Sequence, residues 1–111
     1  MIKLRVVYLP YERYEDGNVN IGHIKAPTLR SALLEMLNRV NLYLDEESIL
    51  EIEEEYGREL TADEIIREIQ EQNGDGCDTI LSILDENTKQ EYINSQWIPK
   101  FKEWYNYTPD N

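Results

Sequence analysis

The chain has 111 residues, 41% of them hydrophobic, and carries 23 Asp and Glu against 11 Lys and Arg, for a net charge of −12 with its one His neutral. That length fits a single domain, residues 1–111, whose core needs no metal or disulfide staple, and eight Tyr and two Trp argue against wholesale disorder. A lone Cys excludes an internal disulfide and a multi-Cys zinc site, and no apolar run reaches the roughly 18–20 residues of a membrane span.

Ile2 to Leu9 reads as a strand, with Ile2, Leu4, Val6 and Tyr8 on one face. Lys3 and Arg5 take the other face until Val7 and Leu9 break its polarity, as in a strand covered on both faces at one end. Pro10 stops it, a polar loop closes in Asp16 and Gly17, and residues 18–25 return as a second strand with Val19, Ile21 and His23 on one face. Thr28 is a candidate N-cap for a helix over 29–40, where Leu29, Ala32, Leu33, Met36, Leu37 and Val40 keep a 3.6-residue period. Residues 45–56 fit either period. The run of Glu, the acids at Asp45 to Glu47 and the stop at Gly57 favour a helix with Ile49, Ile52 and Tyr56 inward.

Thr61 and Glu64 form a capping box ahead of a stripe of Ile65, Ile66 and Ile69, and Asn73 with Gly74 ends that helix. Residues 77–84 read as a buried strand, 85–88 as a turn and 89–93 as the returning strand. Trp97, Phe101, Trp104 and Tyr105 then predict a short aromatic helix after a Ser95 cap. The expected fold is α+β: a small, mainly antiparallel sheet from hairpins near 2–25 and 78–93 flanking a helical middle, in the order β-β-α-α-α-β-β-α.

The charge is uneven. Residues 1–40 hold six basic and four acidic groups, residues 89–111 three of each, and residues 41–88 sixteen acids against Arg58 and Arg67. The whole excess therefore lies in the middle, where like charges repel and work against compactness. In a helix over 45–56, Glu47, Glu51 and Glu55 stand at i, i+4 and i+8, about 6 Å apart along the axis. Glu64, Glu68 and Glu71 repeat the row in the next helix. Such rows imitate a phosphate backbone or suit any strongly basic surface; the ordinary alternative is a solvated face.

Catalytic and cofactor patterns fail. His23 has no second His with metal-ligand spacing. Cys77, flanked by Asp75 and Asp78, is a weak nucleophile and reads as a core residue. Asn73, Asp75, Cys77 and Thr79 alternate like a calcium loop, but its sixth position is Asp78 and its twelfth Leu84. Gly74 and Gly76 lack the Lys and Ser or Thr of a phosphate loop. Tyr8, Tyr11 and Tyr14, mixed with Glu12 and Arg13, offer a recognition surface or simply cover the hairpin.

The expectation is a binding protein and not an enzyme, with no cofactor and no metal. Glu47, Glu51, Glu54, Glu55, Glu59, Asp63, Glu64, Glu68, Glu71, Asp75, Tyr11 and Tyr14 would contact a larger basic partner, a nuclease or other nucleic-acid-binding protein. No direct nucleic-acid or membrane contact is expected. Size and charge are those of phage and plasmid inhibitors of restriction and CRISPR nucleases, an analogy only. An antitoxin or immunity protein for a basic toxin needs the same surface. A small ligand-binding domain or enzyme with a Tyr- and Trp-lined pocket, and an oligomer such as a homodimer held by the aromatic tail, are the alternatives from other classes. The lone thiol, and an N-terminus without a signal peptide's layout, point to a reducing, cytoplasmic setting.

Overall fold

A computed structural model of the chain describes residues 1–13, 19–72 and 77–94. Strand β1 (Ile2–Leu9) leads through a 3-10 turn at Tyr11–Arg13 to β2 (Asn20–Ala26). Helices α1 (Leu29–Arg39), α2 (Glu46–Tyr56) and α3 (Ala62–Gln72) follow, then β3 (Thr79–Asp85) and β4 (Glu91–Asn94). The strands form one antiparallel sheet in the order β2-β1-β3-β4. The α+β class, the two hairpins and the three central helices are as the sequence predicts. The aromatic helix expected around Trp97 lies outside the described residues.

Each helix starts where its local chemistry dictates. At α1 the Thr28 hydroxyl accepts from the Ser31 amide while the Ser31 hydroxyl accepts from the Thr28 amide, both at 3.1 Å. At α2 the Asp45 carboxylate accepts from the Ser48 amide at 2.8 Å, and this bond holds the carboxyl below its ordinary range. The competing strand period over 50–56 loses to the helix. Gly57 ends it at φ 72°, a left-handed conformation that glycine adopts without a side-chain clash. At α3 the Thr61 hydroxyl accepts from the Glu64 amide, and the Glu64 carboxylate accepts from the Thr61 amide.

The helices cover one face of the sheet. Leu4, Val6, Ile24, Ala26, Ile80, Ile83 and Ile93 meet Ala32, Leu33, Met36, Ile49, Ile65 and Ile69 in one core, which Cys77 also joins. Helix α1 packs on β1, β2, α2 and α3. That crowding buries Leu34 as well as the predicted stripe from Ala32 to Val40, with Leu29 half-buried. In β2 the helix-facing residues are Ile24 and Ala26; Ile21, with Val19 just ahead of the strand, packs on Val7, Leu9 and Leu81 on the opposite face.

The opposite-face cluster depends on a bulge. The β1–β3 register shifts between Val7, opposite Ser82, and Tyr8, opposite Ile80. Leu81 is the extra residue. In a regular strand Ile80 and Ile83, an odd number of positions apart, would face opposite ways. With the bulge both enter the helix-side core while Leu81 turns to Val7 and Leu9.

Candidate functional site

The α2 row stands out on the surface. Glu47, Glu51, Glu54 and Glu55 are all exposed. None of the four forms an ion pair among the described residues. Among them Leu50 is 49% exposed, and Tyr43 and Tyr56 border the helix at 66% and 56%. The helical period predicts Tyr56 inward. In the structure Glu53 takes that inner position beside Ile49, and Tyr56 turns out under the Arg58 guanidinium, 5.7 Å from its ring centroid. Leu50 was legible as an apolar residue off the Ile49 and Ile52 stripe, but the expected contact set omits it, with Tyr43 and Tyr56.

The second row is less available. Glu71 and Asp63 are exposed, but Glu64 and Glu68 are half-buried. Glu64 meets Arg58 through both carboxylate oxygens, at 2.8 and 2.9 Å. The Arg58 hydrogen bonds, then the Thr61 amide, hold its carboxyl down to about 2 from an ordinary 4.5. Glu59 is exposed but lies 3.0 Å from Arg30 Nε. Tyr11 belongs to another region: its amide donates to Asp78 at 2.9 Å, at the head of β3. Tyr14 and Asp75 lie outside the described residues.

Three buried acids of the central segment are structural. Glu53 is buried and takes Arg30 Nη2 at 2.6 Å and the Leu60 amide at 2.8 Å. The Arg30 bond, then the Leu60 amide, keep its carboxyl below the usual range against the opposing effect of burial. Asp78 accepts from the Tyr11 and Asn41 amides, at 2.9 Å each, and so ties two loops to the sheet. Asp85 accepts from the Asn87 and Thr88 amides and builds the β3–β4 turn. The acidic excess thus divides into an inner set that holds loops and an outer set concentrated on α2.

The Glu64 contacts carry a pH signature. A carboxyl whose folded value is depressed stabilises the fold fully above its unfolded value and loses that contribution as pH falls through the folded one. The stability gap between wild type and Glu64→Gln should therefore be full above about pH 4.5 and close as the pH falls towards 2. Urea midpoints across this window measure it. A gap indifferent to pH would mean that Arg58 and Thr61 do not favour the ionised form.

Among the described residues no group of three or more His, Cys, Asp or Glu could hold a metal ion, and no helix is long and apolar enough to cross a membrane. A polar cavity of about 270 Å³ beside Tyr8 and Tyr11 is lined by Arg13, Asn20 and Asp78, whose two carboxylate oxygens are already taken up by backbone amides. His23 is exposed, with Nδ1 2.6 Å from Glu86 Oε1. Compared with family models, curated proteins and solved structures, the chain matches none.

Proposed function

We propose that this chain is a small acidic binding protein that occludes a basic, nucleic-acid-binding surface of a larger partner, such as a nuclease. It would act as a nucleic-acid mimic of the anti-restriction or anti-CRISPR kind carried by phages and mobile elements. The observation behind this reading is the outer face of α2: Glu47, Glu51 and Glu55 exposed in a row about 6 Å apart, with no cation paired to them among the described residues. Carboxylates so spaced can occupy Lys and Arg sites that otherwise hold phosphates. Leu50, exposed between Glu47, Glu51 and Glu54, adds an apolar anchor of the kind that a ring of charges shields from water.

The mechanism is competition. Long-range attraction speeds encounter, the carboxylates displace phosphate contacts, and the inhibited partner no longer holds nucleic acid. The test captures partners on the tagged protein across a salt series, then challenges the complex with duplex DNA. The reading expects a nucleic-acid-binding protein that is retained at low salt and released by either treatment. Capture of a partner that ignores both salt and DNA would overturn it.

A further inference from the structure

The one concentration of positive charge in the described sheet lies at the far end of β1 and β2. Their register places Lys3 directly opposite Lys25 and Arg5 directly opposite His23. Lys3, His23 and Lys25 are exposed. They sit on the face away from the helices, because the Leu4 and Ile24 pair between them enters the core. Residues directly opposite on adjacent strands hold their Cβ atoms about 4.5–5.5 Å apart, and like charges there are destabilising. Neither lysine forms an ion pair among the described residues.

Neighbouring groups are fixed by contacts of their own. Arg39, in the last turn of α1, donates from Nη1 to the His23 carbonyl at 3.0 Å and from Nη2 to Glu35 at 2.9 Å. A guanidinium has five N–H donors, so three remain beyond these two bonds. Glu86 is engaged by His23, and its amide donates to the Lys3 carbonyl at 2.8 Å. Lys3, His23, Lys25, Glu35, Arg39 and Glu86 line one open groove of about 440 Å³. Both of its carboxylates already have partners other than the lysines, Glu35 the Arg39 guanidinium and Glu86 the His23 ring, and with His23 neutral the three cations outweigh the two carboxylates.

We propose that this groove binds a small organic phosphate, with the phosphate between the Lys3 and Lys25 ammonium groups and Arg39 as the third contact. Lys3, Lys25 and Arg39 outnumber Glu35 and Glu86, so the groove is net positive and favours an anion such as a phosphate monoester, which carries about −1.5 to −2 at neutral pH. The volume exceeds what a bare anion needs and falls in the range of small-molecule sites, about 300–1,000 Å³. The anion also relieves the repulsion between the two facing lysines. The site is independent of the acidic row on α2 and of the partner that row would bind.

The test is a titration of the intact chain, followed by amide NMR shifts at constant ionic strength. Inorganic phosphate and a nucleoside monophosphate are the probes, and chloride is the control. Saturable shifts at residues 3, 23–25, 39 and 86 are expected, tighter for the monophosphate than for phosphate. Equal affinity for both would make the ligand the free anion and overturn the organic part of the proposal. The Lys3→Gln/Lys25→Gln variant should lose at least tenfold in affinity. Lys25→Glu places a carboxylate opposite Lys3, so it should abolish binding while raising the thermal midpoint, which separates a lost site from a lost fold. Shifts no different from chloride, or affinity retained in both variants, would overturn the site altogether.

Discussion

Replacing Glu53 by Ala is expected to destabilise the chain by about 3 kcal/mol. Glu53 is 8% exposed and holds three pieces of structure together. Its carboxylate meets Arg30 from α1 at 2.6 Å and 3.3 Å and accepts the Leu60 amide, a buried bond in the α2–α3 loop. Breaking a buried pair costs about 3–5 kcal/mol because the surviving partner is left desolvated and uncompensated. The lower end applies here. The Arg30 side chain is 29% exposed and keeps Glu59 at 3.0 Å. The unpaired Leu60 N–H adds a desolvation penalty of about 1–3 kcal/mol within that total.

Glu53→Gln separates the two contributions. The amide oxygen can still accept from Leu60, but the charge facing Arg30 is gone, so a loss of about half that size is expected. A double-mutant cycle with Arg30→Ala should give a coupling energy well above zero, since the two groups share hydrogen bonds. Urea denaturation measures wild type and every variant. A Glu53→Ala variant within 1 kcal/mol of wild type would show that the pair contributes little beyond its own desolvation cost.

Glu53 also marks where sequence reasoning stops. In the chain it is one of five Glu between positions 46 and 54, and nothing local separates it from its solvated neighbours. Its partners are 23 positions upstream and 7 downstream, so its role is visible only after α1 and α2 have packed. Local signals behaved differently. The Thr61 and Glu64 box, the Gly57 stop and the α1 stripe each depend on groups within a few residues, and all are present as read. The inner side of β3 was not legible either. A run such as Ile80 to Leu84 has no polar alternation to show its faces, and the Leu81 bulge comes from pairing with β1. The facing lysines fall between these cases. The hairpin was readable, but a connection as long as that from Pro10 to Val19 leaves the register open, and register decides what lies opposite Lys3.

Of the candidate site, the α2 row was legible because helical spacing alone sets it. The α3 row was only half legible. Glu64 looked equivalent to Glu51 by position, yet the same capping box that announced the helix binds its carboxylate, and Arg58 completes the set. Lys at that position would lose the cap and face Arg58, so a charge reversal there tests folding more than binding.

Reversing Glu51, Glu54, Glu55 and Glu71 to Lys is therefore expected to abolish partner binding with the fold intact. All four are exposed, and the described structure gives none of them an ion-pair partner. Lys matches Glu in helix propensity, and near the C-terminal ends of α2 and α3 it suits the helix dipole better. Each reversal changes the charge by two, so the net charge of −12 falls in magnitude to about −4 and self-repulsion with it. Thermal stability should hold or rise. Across the interface the outcome is opposite, because a basic groove now meets Lys, and like-charge juxtaposition costs several kcal/mol. At about 1.4 kcal/mol per tenfold, that suffices to lose a nanomolar complex. Wild-type association should also slow as salt rises and the screening length falls to about 8 Å at physiological ionic strength and below it in stronger salt. Stopped-flow association rates and equilibrium titration with the captured partner measure both effects. If the reversed variant binds as tightly as wild type, the α2 carboxylates are a solvated face. The contact would then rest on Leu50, Tyr43 and Tyr56, whose replacement by Ala would cost the affinity that charge reversal did not.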